Sequence, residues 1–232
     1  MKKTVFLLFF ISIVSFGQTA EEYFNSGNDK VEAKDYYGAI SDYNKSIEIN
    51  PNNSDAYYNR GVSKSDLKDY YGAISDYNKS IELDPNYADV YYNRGISKDN
   101  LKDHNGAISD YTKAIELDPN YTDAYYNRGV SKEELDDDYG AISDYTKAIE
   151  LDPNYAKAYT NRGVSKQKTK DYNGAISDFN KAIELDPNDA KTYYNRAISK
   201  YYTNDLKGAC EDARKSGSLG NPFLKMIEAA CN

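Results

Sequence analysis

The sequence is poor in the residues from which catalytic and metal sites are built. Its 232 residues include no tryptophan, two methionines, two cysteines and one histidine, His104. No phosphate-binding loop, nucleophile elbow, zinc-ligand spacing or calcium loop with spaced oxygen ligands is present. His104 follows an aspartate and is expected at the surface near a helix start. We therefore expect no enzyme activity, no metal and no cofactor.

The chain also has fewer basic than acidic residues. The chain has 29 lysines and arginines against 37 acidic residues, a net charge of −8. Nucleic-acid-binding domains carry a basic footprint on one face. The charge balance therefore argues against nucleic acid as a partner.

Long apolar runs are confined to the N-terminus. Lys2 and Lys3 precede a mostly apolar run from Val5 to Phe16, and small residues follow at Ser15 and Gly17. This is the layout of a secretory signal peptide, whereas a membrane helix needs about 20 apolar residues. An uncleaved anchor is the alternative. We expect residues 1–17 to be removed, which leaves an exported chain, periplasmic or secreted, without a membrane span and with a net charge of −10.

What the sequence has instead is a repeat. Five prolines recur at a spacing of 34 residues: Pro51, Pro85, Pro119, Pro153 and Pro187. A fixed period of this size indicates a helical repeat array in which each unit buries its apolar face against its neighbours. With the proline at position 32, the six units begin at Ala20, Ser54, Ala88, Thr122, Ala156 and Ala190. Each unit predicts two helices, over about positions 2–14 and 17–30.

Three positions in every unit have a clear structural reading. Aspartate at position 16 precedes the second helix, where a carboxylate can accept a bond from backbone N–H groups. Glycine at position 8 costs a helix up to about 1 kcal/mol relative to alanine. We infer that two helices approach closely there, with the aromatic residue at position 24 filling the space opposite. The aromatic residues are Tyr43, Tyr77, Tyr111, Tyr145 and Phe179.

An aromatic at position 4, Gly at 8, Ala at 20, an aromatic at 24, Ala or Ser at 27 and Pro at 32 together resemble the tetratricopeptide repeat. The resemblance covers residues 20 to about 221. It implies an all-α, right-handed α-solenoid of helix-turn-helix units whose first helices line a concave, protein-binding groove. The units span residues 18–53, 54–87, 88–121, 122–155, 156–189 and a degenerate 190–220. We expect the segment Ser216–Gly220 to break the last helix and residues 221–232 to form a capping helix.

Charged residues recur where the family has apolar ones. Arginine occupies position 7 and aspartate occupies position 23, so we hypothesise an Arg–Asp pair within or between units. The alternative is two unrelated, solvated charges. Two cysteines, Cys210 and Cys231, bracket the expected capping helix, and in an exported chain they suggest a disulfide. The alternative for Cys210 is a small buried apolar residue.

The candidate binding residues lie on one side of the first helices. Position 5 forms a tyrosine ladder interrupted by Thr160, position 6 is always asparagine, and position 2 changes from acidic to basic along the array. The groove candidates are Asp55, Tyr58, Asn59, Asp89, Tyr92, Asn93, Asp123, Tyr126, Asn127, Lys157, Asn161, Lys191 and Tyr194. The alternative is that the ladder only packs one unit against the next.

These residues predict a protein-interaction module or assembly scaffold. The expected ligand is an extended peptide or helix, basic or neutral where it meets the N-terminal units. Tyrosine and asparagine suit such a ligand, because aromatic side chains dominate many interface hot spots. The alternative function is a glycan-binding envelope protein that uses the tyrosine ladder, and stacking of one copy on another is also open.

Overall fold

The computed structural model describes residues 18–221 and Cys231. The predicted signal peptide and most of the predicted capping helix lie outside these residues. Within the described part the chain forms twelve helices and no strand. The helices are α1 Ala20–Glu32, α2 Tyr36–Ile49, α3 Ser54–Asp66, α4 Tyr70–Leu83, α5 Ala88–Asn100, α6 His104–Leu117, α7 Thr122–Glu133, α8 Asp138–Leu151, α9 Ala156–Lys168, α10 Tyr172–Leu185, α11 Ala190–Tyr202 and α12 Leu206–Ser218.

The helices pack as consecutive pairs, as the repeat predicts. Each first helix packs on the second helix of its own unit, and that second helix packs on the first helix of the next unit. Successive first helices, from α1 to α11, also contact one another. They therefore line the inner side of an all-α, right-handed solenoid. None of the twelve helices is long and apolar enough to cross a membrane.

The turn inside each unit follows from the aspartate at position 16. In the second unit, Asp69 Oδ1 accepts a hydrogen bond from Gly72 N at 3.0 Å, which confirms the predicted N-cap. The residue before it, Lys68, has a φ of 64°, and the Asp69 N–H donates to Lys64 O at 2.9 Å. The same left-handed residue recurs in all six units. The chain thus reverses within three residues, and the two helices run antiparallel.

Glycine at position 8 is required by the aromatic ring at position 24. In the fourth unit, a Cβ added to Gly129 would lie 2.7 Å from Cε1 of Tyr145, which is fully buried. The first five units share this contact. The sixth unit has Ala197 instead of glycine, and there the residue at position 24 is the small Ala213. The prediction of a close helix approach is therefore confirmed.

The hypothesised Arg–Asp pair forms within each of the last five units. Arg128 donates from Nε and Nη2 to the two carboxylate oxygens of Asp144, at 2.9 and 2.6 Å. Lys132 Nζ lies 2.7 Å from the same carboxylate, whose side chain is only 5% exposed. The equivalent pairs are Arg60–Asp76, Arg94–Asp110, Arg162–Asp178 and Arg196–Asp212.

The same arginine also reaches the preceding unit. Arg128 Nη1 donates to Thr112 Oγ1, in the second helix of the third unit, at 3.0 Å. Its guanidinium carbon lies 5.5 Å from the ring centroid of Tyr125, a cation–π contact. The acceptors in the other units are Asn44, Asn78, Thr146 and Asn180. Each arginine therefore joins two neighbouring units.

In the first unit, the buried carboxylate at position 23 is compensated without an arginine. Ser26 Oγ and Lys30 Nζ contact the buried Asp42 carboxylate at 2.6 and 2.5 Å. Burial acts to raise the pKa of Asp42, but the hydrogen bonds from Lys30 and Ser26 outweigh it and hold that pKa below its ordinary value.

The sixth unit ends close to where the sequence predicts, and a disulfide joins it to Cys231. Helix α12 ends at Ser218, inside the expected break at Ser216–Gly220, but the first three residues of that segment are still helical. The reason is tertiary: Ser216 is buried, and its Oγ donates to Ala190 O at 2.8 Å. Cys210 and Cys231 form a disulfide with their Cα atoms 5.4 Å apart.

A Gly129→Ala substitution tests the close helix approach. Overpacking a core costs about 1–3 kcal/mol, and alanine returns at most about 1 kcal/mol of helix propensity. We therefore expect a lower melting temperature, followed by circular dichroism. Gly217→Ala is the matched control, because that helical glycine has no atom within 4 Å of an added Cβ. A Gly129→Ala protein as stable as its parent contradicts the packing described.

Candidate partner-binding groove

The inner groove is the surface formed by positions 2, 5, 6, 9, 12 and 13 of the first helices. Open cavities lie between successive first helices on this side. One of about 410 Å³ is lined by residues of the third and fourth units, among them Asp99, Val130 and Glu134. Another of about 470 Å³ lies between the fourth, fifth and sixth units, where Val164 and Asn195 line it. The groove is therefore a row of shallow hollows with both polar and apolar walls.

The tyrosine ladder holds neighbouring units together. The ring of Tyr92 lies with its centroid 5.9 Å from that of Tyr111 and 4.7 Å from that of Tyr121. Its hydroxyl accepts a hydrogen bond from Asn127 Nδ2 of the next unit at 2.9 Å. Tyr58 and Tyr126 accept in the same way from Asn93 and Asn161.

This packing supports the alternative that the ladder is structural. Rings occupied by two other tyrosines are poor stacking platforms for sugars, so nothing in the ladder favours glycan binding. At the N-terminal end of the row, Asn59 Nδ2 donates at 3.0 Å to Asn28 Oδ1, which also accepts from Tyr43 OH. Tyr194, at the other end, packs against the small residues Ala197, Ala209 and Ala213. Recognition by the ladder itself stays a prediction.

Burial raises the pKa of several tyrosines in and behind the groove wall. It raises the pKa of the ladder residue Tyr92 to about 12, against the hydrogen bond from Asn127, and it raises the pKa of Tyr43, at position 24, to about 12. Burial also raises the pKa of Tyr58, and the nearby Tyr87 and Asp89 add to that shift. The groove therefore owes its charge to other side chains at neutral pH.

Sequence reasoning missed the tyrosines at position 34. Tyr121 OH donates to Asp89 Oδ1 at 2.7 Å, and Tyr155 OH donates to Asp123 Oδ1 at 3.0 Å. These bonds fix one oxygen of each groove carboxylate, and the other oxygen makes no hydrogen bond with any described residue. The available signal was that tyrosine occupies position 34 only in the second, third and fourth units.

The acidic residues at position 12 bridge units. Asp99 Oδ2 accepts from Tyr111 OH at 2.9 Å and from Ser131 Oγ of the next unit at 2.7 Å, and its Oδ1 lies 3.0 Å from His104 Nδ1. The His104 side chain is only 14% exposed, so its expected place at the surface was wrong, although it does begin a helix. Glu133 of the fourth unit likewise accepts hydrogen bonds from Tyr145 OH of its own unit and from Ser165 Oγ of the fifth unit.

The position-2 residues carry the charge of the groove. Asp55, Asp123, Lys157 and Lys191 are exposed, and Asp89 is half-buried. None of these five forms an ion pair within 4.0 Å among the residues that the structure covers. Four of the outer helices differ, since a lysine and a glutamate three residues apart pair on α4, α6, α8 and α10, as Lys113 and Glu116 do. The row is acidic over the second to fourth units and basic over the last two.

Fold and groove together define a helical repeat protein, and comparison with known families names the class. A family model described as "Tetratricopeptide repeat" matches residues 54–87, 88–121, 122–155 and 156–189. Two further models of this family match residues 27–67 and 179–211. The chain belongs to the tetratricopeptide repeat family. Its members are in general non-enzymatic scaffolds for protein–protein interaction.

Solved structures share the fold along most of the chain. A MamA protein is 30% identical with a TM-score of 0.70, over 76% of this chain and 96% of that one. YrrB, described as a TPR protein with an unusual peptide-binding site, is 24% identical with a TM-score of 0.71, over 81% and 95%. A repeat protein from Parabacteroides merdae is 19% identical with a TM-score of 0.69, over 93% and 98%. No curated protein matches the chain.

Alkaline titration tests the buried tyrosine network. A phenol with a raised folded-state pKa stabilises the fold fully below its unfolded pKa of about 10, and that contribution is lost as pH rises toward the folded value. We expect the buried tyrosines to ionise only with loss of helix, so absorbance at 295 nm and circular dichroism change together, near or above pH 12. Protein unfolded in guanidinium is the control and should titrate near pH 10. Complete ionisation below pH 11 with intact helices contradicts the network.

Proposed function

We propose that this protein is an exported, non-catalytic scaffold that binds a segment of another protein in its inner groove. The observation that carries the proposal is the row of position-2 charges that have no ionic partner among the described residues, on a wall of tyrosines and asparagines that bond to one another. Charges that only kept the array soluble would have no reason to differ between the inner and outer sides. On the outer helices they pair locally.

The wall also offers hydrogen-bond acceptors to an extended backbone. Asn93, Asn127 and Asn161 donate through Nδ2 to the ladder hydroxyls. Their Oδ1 atoms make no hydrogen bond within the part of the chain described. These carbonyls recur at the same place in successive units, and each can accept from a backbone N–H. YrrB, which shares the fold, is described as having a peptide-binding site.

The change of sign along the groove gives the ligand a direction. Asp55, Asp89 and Asp123 favour a basic or neutral stretch over the second to fourth units, and Lys157 and Lys191 favour an acidic stretch over the last two. Complementary charges of this kind mainly determine specificity and association rate. A bound segment would therefore run with one polarity only.

An exported protein would meet its partner in the cell envelope or outside the cell. The proposal of export rests on the signal-peptide layout of residues 1–17, and the disulfide between Cys210 and Cys231 agrees with it. Disulfides persist in oxidising compartments and are rare in the cytosol of most cells.

Photo-crosslinking from defined positions tests the groove. We place p-benzoylphenylalanine at Val62 or Val130, which line the inner hollows, and at the exposed outer residue Glu116 as control. In the native envelope fraction, the inner positions should give covalent adducts with another polypeptide, identified by mass spectrometry. Adducts from Glu116 but not from the inner positions contradict the proposal, as does the absence of any adduct.

The charge of the groove is then tested on the crosslinked segment. Asp89→Asn/Asp123→Asn should weaken binding of the segment several-fold and reduce the salt dependence of that binding, because two negative charges are lost from the groove. Asparagine keeps an acceptor for Tyr121 and Tyr155, so the fold should survive. Glu116→Gln is the matched control. Affinity that is independent of salt and of both aspartates contradicts the electrostatic part of the proposal.

A further inference from the structure

The fifth unit lacks both tyrosines that fill the groove wall elsewhere. In the second, third and fourth units, the tyrosines at positions 5 and 34 lie with ring centroids 5.1, 4.7 and 4.9 Å apart. The fifth unit has Thr160 and Asp189 at these positions. A cavity of about 230 Å³ occupies this place. Its lining includes Tyr126, Thr160, Asn161, Ala182, Lys157 and Lys191.

The loss of a tyrosine leaves a buried donor without an acceptor. Asparagine at position 6 donates to the tyrosine of the preceding unit at three successive junctions, as Asn161 does to Tyr126 at 3.1 Å. Asn195 is the next in this series, and the residue at the position of the accepting tyrosine is Thr160. Its Nδ2 is buried and has no hydrogen-bond partner among the described residues, and the residue is 9% exposed. A buried donor without an acceptor destabilises the fold.

The short side chains that replace the tyrosines satisfy one another but not Asn195. Thr160 Oγ1 lies 2.8 Å from Thr192 Oγ1, and Thr192 in turn bonds to Asp189 Oδ2. Gln167 Nε2 binds the Asn195 backbone oxygen at 2.9 Å and leaves the side-chain amide unmet. Thr160, Thr192 and Asp189 are therefore linked by hydrogen bonds, whereas the nearby Asn195 Nδ2 has no acceptor among the described residues. Asn195 lines the adjoining hollow, which shares Asn161 and Lys191 with this cavity.

Two lysines and two aspartates line the cavity, and only the lysines lack a bonding partner among the described residues. Asp189 accepts bonds from Lys191 N and from Thr192, and Asp186 accepts from Asn188 N, so these two carboxylates are engaged in capping and turn formation. Lys157 and Lys191 make no ion pair with any residue that the structure covers. An incoming anion would meet two ammonium groups without displacing an existing partner.

We propose that this cavity is a specificity pocket for a tyrosine of the partner that lies next to an aspartate or glutamate. The ring would pack against Ala156 and Ala182, the phenol oxygen would accept the hydrogen bond from Asn195 Nδ2, and the neighbouring carboxylate would pair with Lys157 and Lys191. The partner would thus supply the side chain that the fifth unit omits. The inference rests on the proposed function, since it assigns one subsite within the inner groove.

Peptide display tests the pocket without knowledge of the natural partner. A library of random dodecapeptides is selected on the purified protein, and we expect enrichment of tyrosine next to aspartate or glutamate. A selected peptide should bind Thr160→Ser, which keeps both the cavity and the hydroxyl, as well as it binds the parent. Thr160→Tyr fills the pocket as the other units do and should weaken binding at least tenfold. The same loss is expected when phenylalanine replaces the peptide tyrosine.

A second variant keeps the test valid if Thr160→Tyr fails to fold. Lys157→Glu/Lys191→Glu changes only exposed side chains and should also weaken the peptide at least tenfold. The pocket proposal is overturned if the selected peptides lack the tyrosine–acid pair. It is also overturned if they bind Thr160→Tyr or the double lysine variant as tightly as the parent. Neither result contradicts binding in the groove as such. Selection of no peptide at all contradicts the proposed function as well.

Discussion

A buried carboxylate at position 23 of every unit imposes the main constraint on this structure. An ionised group inside a helical stack costs several kcal/mol unless opposite charge and hydrogen bonds compensate it. In five units an arginine donates twice to this carboxylate, a lysine adds a second charge, and the third nitrogen of the same arginine binds the preceding unit. Because one side chain serves both units, neutralising the charge also sets the spacing between them.

That spacing places the remaining side chains of each first helix on the inner side. There the structure has two layers. Tyrosines and asparagines bond across the junctions and form a rigid wall, while the position-2 charges stand on it without ionic partners. The fifth unit is the exception, since it gives up two rings and leaves Asn195 unsatisfied. A buried group without a partner calls for an explanation, and departures from local rules cluster at functional sites, which links this irregularity of the repeat to the proposed recognition.

Features governed by contacts within one unit could be predicted from sequence. Gly129 against Tyr145 and the cap at Asp69 follow from spacings within a helix pair, and they have few alternatives. The Arg128–Asp144 pair was predicted, but not its choice of partner within the unit. The bridges from Asp99 to Ser131 and from Tyr121 to Asp89 were not, because they depend on how units stack or on the position of a loop residue. Helix α12 continues through Ser216 because the hydrogen bond from Ser216 Oγ to Ala190 O outweighs the weak helix propensity of this segment. That tertiary bond could not be predicted from the local sequence.

A double-mutant cycle on Arg128 and Asp144 tests the central constraint most directly. Either single change, Arg128→Leu or Asp144→Ala, leaves a buried charge with less compensation and should cost about 3–5 kcal/mol of unfolding free energy. The double variant removes both charges and should lose far less than the sum, so the coupling should exceed about 2 kcal/mol. The exposed Lys147–Glu150 pair is the control and should couple by less than about 1 kcal/mol. Additive single effects at Arg128 and Asp144, within about 0.5 kcal/mol, would contradict the account.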